Sequence, residues 1–308
     1  MPVLTCVTYH HFAAAADEFV RTLGVTTSPD AFRKHLAHYR RYYTPVGLDE
    51  VLSGDLPPRP LLITIDDAYR SVLEVAAPML REAGIPAVFF TNPLTINGAR
   101  LPMDNLLSLA ASRLSPSRFA QCLRQATGIG SHESGGVALA GSLLVHLNAA
   151  TRNELRTGLL AALNLEEADV LRRSGAFLSP ADLARMPAEF NIEVANHTRS
   201  HVHCRTLAPD ELEEELGQAK AEIEAITGRS VRAFSFPYGS LTDATPSVVD
   251  YLRKSGHRAL FFVHALANIA RPEPDFWYRT SVQDHGARIL PARLQILPRL
   301  RSLKAALK

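Results

Sequence analysis

Ionisable residues that could carry out chemistry follow short apolar segments at several places in the sequence. The positions, each given with the segment that it follows, are His10-His11 after Val3–Tyr9, Asp66-Asp67 after Leu61–Ile65, and Asn196-His197 after Asn191–Ala195. If these segments are parallel strands of one sheet, their carboxyl ends meet on the same face. The active sites of α/β barrels and open α/β sheets are built on that face. The sequence therefore predicts that these residues share a site.

Asp66 and Asp67 are adjacent carboxylates at the end of an apolar segment. Two neighbouring carboxylates that lose hydration repel each other, and leaving both ionised is costly without a cation. The pair therefore indicates a metal ion. The alternative is that one Asp caps a following helix while the other faces water, and the pair alone does not decide between the two.

His197 and His201 are four residues apart, in the segment His-Thr-Arg-Ser-His. They share one face if the turn after the strand is helical, which is a common arrangement for two metal ligands. The segment lacks the Glu after the first His that marks zinc metalloproteases. The alternative is a surface helix with two unrelated histidines. Combined with one Asp, the pair would leave coordination positions open for water and substrate, as catalytic metal sites do.

Seven short segments are candidates for the strands that position these residues. They are Val3–Tyr9, Leu61–Ile65, Ala87–Thr91, Asn191–Ala195, Val231–Phe236, Arg258–Val263 and, more weakly, Tyr278–Val282. Several are apolar on both faces and alternate with amphipathic stretches, which is typical of βα units around a parallel sheet. The pattern predicts an α/β fold.

Capping residues mark the helices between the strands. Ser28-Pro29, Thr245-Pro246 and Ser179-Pro180 each place an N-cap residue before a proline, and Gly84, Gly228 and Gly256 are predicted stops.

Residues 100–178 interrupt the alternation and are predicted to form a mainly helical insertion, with a capping box from Thr151 to Glu154 and a Gly/Ser-rich break at Gly128–Gly136. An insertion of this length is expected to act as a lid or a substrate-binding subdomain.

Composition excludes several classes of protein. The 308 residues are 46% hydrophobic, enough for a sizeable core, and 33 Lys+Arg against 31 Asp+Glu leave a net charge of +2, too small for a global attraction to nucleic acid. The cysteines, Cys6, Cys122 and Cys204, are too few for a disulfide framework. The sequence has no recognisable export signal and no stretch of ~20 apolar residues, so a cytoplasmic protein is expected.

The tail over residues 285–308 is basic. It contains Arg288, Arg293, Arg299, Arg301, Lys304 and Lys308, interleaved with Leu and Ile and with no acidic residue. A solvated terminal helix is the simpler interpretation of this composition. A weak contact with an anionic membrane surface is the alternative.

Three motifs resemble those of the NodB-homology polysaccharide deacetylases, carbohydrate esterase family 4. They are Thr64-Ile65-Asp66-Asp67-Ala68, His197-Thr198-x-x-His201 and, in part, Ser235-Phe236-Pro237-Tyr238-Gly239. Their order and spacing also fit, and the resemblance spans about residues 3–100 and 178–282. It implies a distorted (β/α) barrel of about seven parallel strands, forming one catalytic domain over residues 1–308 that carries the insertion and the tail.

The resemblance also implies roles for single residues. One divalent cation, most simply Zn²⁺, would be held by Asp67, His197 and His201, and Asp66 would be the catalytic base. In the third motif, Pro237 and Tyr238 would contribute to the oxyanion site, Tyr238 through its backbone N–H. The aromatic rings of Tyr69, Tyr238 and Trp277 would suit stacking on a sugar face, although each could equally be an ordinary core or rim residue.

The catalytic acid is assigned through a further likeness. The first strand ends in Tyr9-His10, as in the poly-N-acetylglucosamine deacetylases, which draw the acid from this His. No Leu-x-His motif follows Gly239 to supply another acid. His10 is therefore the candidate, with His11 as the neighbouring alternative, and only one of the two is expected to enter the site because successive strand residues point to opposite faces.

Two departures from the family motifs bear on activity. Ala68 stands where Gly is usual, and Ser235 stands where many members have an Arg that pairs with the base. Arg279 could supply that charge, or it could be a surface residue at the barrel rim.

The expected function is removal of an N-acetyl group from an amino sugar or glycan precursor by a metal-bound water. The alternatives are hydrolysis of a non-sugar amide, an inactive carbohydrate-binding homologue and, least favoured, an iron-dependent oxygenase.

Overall fold

Seven parallel strands close into a barrel in this computed structural model, which describes residues 2–128, 144, 147–269 and 271–306. The strands are β1 (Thr5–Tyr9), β2 (Pro60–Asp66), β3 (Ala87–Thr91), β4 (Ile192–Asn196), β5 (Ala233–Ser235), β6 (Ala259–Val263) and β7 (Phe276–Ser281). Each strand pairs with the next one along the chain, and β7 pairs with β1 to close the barrel. The predicted fold class and number of strands are confirmed.

All seven predicted strands are present, with ends that agree to within two residues. The segment Val231–Phe236 is shortened at both ends, since only Ala233–Ser235 forms a strand. The backbone N–H of Val231 donates instead to the Glu224 carboxylate, and its carbonyl accepts from Lys220. These side-chain partners satisfy the backbone of Val231, so it does not join the sheet.

Short strands add to the rim of the barrel. Thr44–Pro45 extends the sheet beside the start of β2, and His11–Phe12 pairs with Thr26–Thr27 in a separate parallel ribbon.

Twelve helices are described. They are α1 (Pro29–Tyr42), α2 (Leu48–Ser53), α3 (Ala77–Ala83), α4 (Pro93–Ile96), α5 (Met103–Arg113), α6 (Pro116–Thr127), α7 (Ala149–Leu163), α8 (Glu167–Ser174), α9 (Pro180–Phe190), α10 (Ala219–Thr227), α11 (Pro246–Lys254) and α12 (Leu297–Ala306). Helical turns at Val72–Ala76, Glu213–Gln218 and Ala292–Ile296 lead directly into α3, α10 and α12. Among the described residues, no helix is long and apolar enough to span a membrane.

Most of the predicted helix ends agree with the structure. The side chains of Ser28, Ser179 and Thr245 each accept a hydrogen bond from the backbone at the start of a helix. Gly84 and Gly228 end helices in the left-handed conformation that glycine tolerates best. Gly128 ends α6 in the same way, while the rest of the predicted break, residues 129–136, lies outside the described residues.

The predicted capping box from Thr151 to Glu154 is wrong. Helix α7 begins at Ala149, and its N-cap is Asn148, whose side chain accepts from the backbone N–H of Thr151. Asn is as good an N-cap as Thr. The backbone therefore places Thr151 inside the first turn, where it provides the donor of the capping bond.

The inside of the barrel changes from apolar to polar along its strands. Its lower layers are apolar and consist of Cys6, Leu62, Val88, Phe90, Ala195, Ala233, Ala259, Phe261 and Trp277. On four of these strands the next inward position is polar. Thr8, Thr64, Ser235 and Arg279 each lie two residues after an apolar residue of the lower layers. Because side chains alternate between the two faces of a strand, this row carries the polar residues into the barrel at its carboxyl end.

Helices α5 to α8 occupy most of the described part of residues 100–178. Helix α5 contacts the rim of the barrel through Asn105, whose side chain donates to the Phe19 carbonyl and to the Tyr69 hydroxyl. A buried pair between Arg156 and Glu167 links α7 to α8. The region is thereby fixed beside the carboxyl ends of the strands, where the polar row emerges.

The capping of α7 gives a stability test. Replacing Asn148 with Ala should lower the free energy of unfolding by about 1 kcal/mol, because an orphan N–H of the first turn loses its acceptor. Thr151→Ala should cost close to nothing, since only the backbone of Thr151 takes part. Urea unfolding of the two variants makes the comparison, and a larger loss for Thr151→Ala would show that the cap is wrongly placed.

Candidate active site

The residues selected from the sequence line one cavity at the carboxyl ends of the strands. The cavity has a volume of about 750 Å³, and His10, Asp66, Asp67, His197, His201 and Tyr238 line it. Asp104, Leu107 and Leu144 complete one wall from the 100–178 region. Residues at the strand ends thus form the floor of the cavity, and residues 100–178 form part of its wall.

Asp66 and Asp67 both reach this cavity although they are consecutive in the chain. Asp66 is the last residue of β2 and points inward by alternation. Asp67 has a φ of 73°, and this left-handed turn directs its carboxylate back towards the cavity. Ala68 does not have a positive φ. Ala in place of the usual Gly therefore imposes no left-handed strain at that position.

The loop that carries His197 and His201 is not helical, so the condition on which their shared face was predicted is not met. The loop turns instead through positive φ values at Thr198 (63°) and His201 (57°). The Asn92 side chain donates to the carbonyls of His197 (2.6 Å) and Thr198 (3.1 Å) and holds the loop in place. The two imidazole rings still lie close together, with centroids 5.0 Å apart.

Asp67, His197 and His201 form a cluster that could hold a metal ion. The Asp67 Oδ1 atom lies 3.7 Å from His197 Nε2 and 3.3 Å from His201 Nε2, and one ligand atom from each residue lies within 4.8 Å of the others. Asp67 Oδ1 is buried and has no hydrogen-bond partner among the described residues. A buried acceptor is rarely left unpaired. Two imidazoles and one carboxylate are a donor set that suits Zn²⁺.

The other ring nitrogens of both histidines face acceptors. His197 Nδ1 donates to the Ser235 carbonyl at 2.7 Å, and His201 Nδ1 lies 3.5 Å from Asp104 Oδ1. Such partners fix the orientation of a ligating imidazole and leave Nε2 for the metal. Asp104 lies in the first turn of α5, so the 100–178 region contributes directly to the candidate metal centre.

The electrostatic environments of the two histidines differ. Burial lowers the pKa of His197 to about 3, and the nearby positive charges of His201 and Arg279 act in the same direction. Burial also disfavours the charged form of His201. The carboxylates of Asp104 and Asp67 outweigh that effect and raise the pKa of His201 to about 9.

Asp66 is paired with the fully buried Arg279. The guanidinium donates to both carboxylate oxygens, at 2.6 and 2.7 Å, and to the Ser235 hydroxyl at 2.6 Å. Burial opposes ionisation of Asp66, but Arg279 outweighs it and lowers the pKa of Asp66 to about 2. Arg279 therefore lies inside the barrel and not at its surface rim, with Ser235 beside it at the position where related motifs carry Arg.

Among the described residues, Asp67 has no arginine partner, and the nearby imidazoles of His201 and His10 favour its ionised form less than burial opposes it. Burial raises its pKa, and the carboxylates of Asp104 and Asp66 add to the rise. The two adjacent aspartates thus differ sharply. One is kept ionised by an arginine, while the other faces only imidazoles.

His10 and His11 point to opposite sides of the strand end, as alternation requires. His10 lines the cavity, with its Nε2 4.0 Å from Asp66 Oδ2. Its Nδ1 is buried and has no hydrogen-bond partner among the described residues. His11 faces away from the cavity, and its ring nitrogens lie near Thr26 and Asp17. Of the two candidates for the acid, only His10 is in the cavity.

The Pro237-Tyr238-Gly239 turn forms another part of the wall. Tyr238 has a φ of 62°, its ring stacks on that of His203 at 3.9 Å, and its hydroxyl lies 3.5 Å from the His201 carbonyl. A Cβ at Gly239 would come within 2.4 Å of the Val263 backbone nitrogen, so this position requires glycine. The turn is thereby held against β6 with the Tyr238 ring beside the candidate metal ligands.

Two of the three aromatic residues considered for sugar stacking are core residues. Tyr69 is buried and bonded to Asn105, and Trp277 fills the lower part of the barrel with Arg271 over its ring. Of the three, only Tyr238 lines the cavity. The third motif favours Tyr238 among the three, whereas no motif distinguishes a core role from a binding role for Tyr69 and Trp277, because aromatic residues serve both cores and binding surfaces.

The polysaccharide deacetylase family model matches residues 157–245 of the chain. This match contains the His197–His201 motif and the Pro237–Gly239 turn. The predicted resemblance to the polysaccharide deacetylases is confirmed. No curated protein matches the chain significantly.

Solved structures of deacetylases share the fold. The deacetylase PplD of Streptococcus pyogenes, solved in complex with acetate, superposes with a TM-score of 0.63 at 14% identity and covers 96% of this chain and 100% of its own. IcaB from Ammonifex degensii gives a TM-score of 0.60 at 18% identity, with 96% and 98% covered. The BpsB deacetylase domain from Bordetella bronchiseptica gives 0.56 at 15%, with 92% and 97% covered. At these identities the likeness establishes the barrel fold.

Sequence reasoning missed the residues that orient the site. Asp104 contacts His201, Asn92 holds the histidine loop, and Glu215 accepts from the backbone N–H of Ser200 at 3.0 Å. None of the three belongs to a motif, and their distances along the chain from the residues that they support range from 15 residues for Glu215 to 105 for Asn92. The spacing of the two histidines favours a helical turn, so nothing in the sequence indicates that such supports are needed.

The contact of Asp104 predicts a change in metal affinity. Asp104→Asn keeps the shape of the side chain but removes the carboxylate that faces His201 Nδ1. Zinc affinity, measured by competition with a chromophoric chelator, should fall about 10- to 100-fold. Asp169→Asn, on the exposed face of α8, is the control and should bind zinc like the parent chain. Unchanged affinity for Asp104→Asn would mean that His201 is oriented without it.

Proposed function

We propose that the protein is a metal-dependent hydrolase that removes an N-acetyl group from an amino sugar or a glycan precursor. The carrying observation is that Asp67, His197 and His201 meet at an open cavity that also contains an ionised carboxylate, Asp66, and an imidazole, His10. Hydrolysis of an amide needs an activated water, a proton acceptor and a proton donor. The cavity provides a candidate for each.

Asp67, His197 and His201 would hold the cation. A divalent cation bound there supplies Lewis acidity, which lowers the pKa of water and polarises an amide carbonyl. The three residues would leave coordination positions open, as catalytic zinc sites do. The Ser235 carbonyl and Asp104 would keep the two imidazoles turned towards the cation.

Asp66 would act as the base. Its Oδ2 atom lies 4.0 Å from both His10 Nε2 and His197 Nε2, between the candidate acid and the candidate metal site. Arg279 keeps the carboxylate ionised and fixes its plane through two hydrogen bonds. Asp66 is thereby held in the unprotonated form that a proton acceptor requires.

His10 would act as the acid. Hydrolysis breaks the amide C–N bond, gives acetate and an amine, and requires a proton on the leaving nitrogen. His10 Nε2 faces the same cavity as Asp66, so it can deliver that proton to a substrate bound there. Pro237 shapes the turn that would aim the Tyr238 backbone N–H at the oxyanion, and the Tyr238 ring would form the side of the sugar site.

The proposal is tested by acetate release. The protein is incubated with N-acetylglucosamine oligomers, nucleotide-linked N-acetyl sugars and non-sugar acetamides, with and without a chelator, and products are followed by mass spectrometry. Loss of an acetyl group from a sugar substrate that stops with chelator and returns with Zn²⁺ supports the proposal. Cleavage of non-sugar amides alone would favour the alternative substrate class, and no turnover in a zinc-loaded sample would favour an inactive binding homologue.

The neighbouring histidines provide a matched pair of variants. His10→Ala should lower turnover about 10²- to 10⁴-fold, because the leaving amine loses its proton donor. His11→Ala, one residue away and outside the cavity, should retain most of the activity. Zinc content should be unchanged in both, whereas His197→Ala should lose zinc as well as activity. Near-normal turnover of His10→Ala on its substrate would remove His10 from the mechanism.

A further inference from the structure

Exposed apolar side chains of the described residues are concentrated in the C-terminal segment. Ile289, Ile296, Leu297, Leu300 and Leu303 are between 40% and 63% exposed. Large aliphatic residues are seldom this exposed in a group, and such a patch marks an interaction surface. The function proposed above makes no use of this segment.

Three of these residues form a line. Ile296, which directly precedes α12, is followed by Leu300 and Leu303 at intervals of four and three residues, which places the three on one side of the helix. We call these three residues the apolar stripe. The segment has a second apolar side, formed by Leu290, Leu294 and Pro298, which is buried against the protein. One apolar side thus holds the segment on the barrel, and the other is left uncovered by the described residues.

Positive charges border the apolar stripe. Arg299 and Arg301 lie on either side of Leu300, and Arg288, Arg293 and Lys304 lie along the same segment, which has no acidic residue after Asp284. Among the described residues, none of these five basic side chains forms an ion pair with a carboxylate. Arg293 donates to a backbone carbonyl of the protein, and the charges of the other four remain available to an external anion.

The segment is fixed in an orientation that keeps the stripe outward. Gln295 donates to the Tyr43 hydroxyl at 3.0 Å, and the Ser302 hydroxyl accepts from the backbone N–H of Ala267 at 3.0 Å. Arg293 donates to the Ser281 carbonyl at 3.0 Å. These bonds are on the sides of the segment that face the protein. The stripe therefore cannot be covered by a simple rotation of α12.

We propose that the apolar stripe and its flanking basic residues bind the protein to the surface of an anionic membrane. An apolar strip bordered by Lys and Arg is the arrangement by which helices lie in the interface of anionic bilayers, with apolar side chains inserted and cations near the headgroups. A second copy of the chain is a poorer partner, because a two-fold contact would bring the same arginines together. The proposal does not depend on the proposed deacetylation.

The test is flotation of the full chain with lipid vesicles. Vesicles of phosphatidylglycerol and phosphatidylcholine should carry the protein, vesicles of phosphatidylcholine alone should carry much less, and high salt should weaken the binding. A wild-type chain that stays in solution with anionic vesicles at low salt overturns the proposal.

Paired variants separate the two contributions. Arg299→Gln/Arg301→Gln should weaken partitioning to anionic vesicles about 25-fold, since each basic residue near the surface contributes about fivefold. Leu300→Gln/Leu303→Gln should weaken it at least about tenfold. Arg118→Gln/Arg124→Gln, on the exposed side of α6, removes the same charge elsewhere and should float like the wild type. Circular dichroism confirms that each variant is folded.

Three results would overturn the proposal even if the protein floats. One is partitioning of Leu300→Gln/Leu303→Gln that equals that of the wild type, and another is an equal loss for the α6 control, which would indicate attraction by net charge only. The third is a dimer in light scattering that Leu300→Gln/Leu303→Gln dissociates without any change in vesicle binding. That result would assign the stripe to contact between copies of the chain.

Discussion

Two adjacent buried carboxylates are the constraint around which the site is built. Asp66 and Asp67 are both buried at the end of one strand, where water cannot stabilise their charges. The protein compensates one of them itself, because Arg279 donates to both oxygens of Asp66. It leaves Asp67 between two imidazoles, with an unpaired oxygen. This asymmetry separates a carboxylate that an arginine favours in its charged form from one that is a candidate ligand for a cation.

The barrel produces this asymmetry by simple alternation. Along β7, Trp277 fills the apolar floor, and two residues later Arg279 enters the polar row beneath Asp66. Along β5, Ser235 is small enough to leave space for that guanidinium and accepts a hydrogen bond from it. The charge that many related proteins place in the third motif is therefore supplied here from the last strand. The same geometry explains why His10 enters the cavity and His11 does not.

The strands and the meeting of Asp66, Asp67 and His197 at one face were predictable from local patterns in the sequence, whereas the choice of Asp67 as the candidate ligand came from the family resemblance. Apolar runs followed by polar residues locate strand ends, and a barrel gathers those ends at one face. The supports of the cluster were not predictable, because Asp104 and Asn92 reach the histidine loop only through tertiary packing. The cap of α7 was misplaced because Asn148 and Thr151 are both suitable N-cap residues, and sequence does not show which one precedes the first turn.

The most direct test of the central claim is to locate the cation. Crystals grown with Zn²⁺ should show anomalous scattering at one site between Asp67, His197 and His201, with the pair between Asp66 and Arg279 intact. The account predicts that this site fills first as zinc is added. Zinc bound elsewhere, with Asp67 still unliganded at saturation, would contradict it.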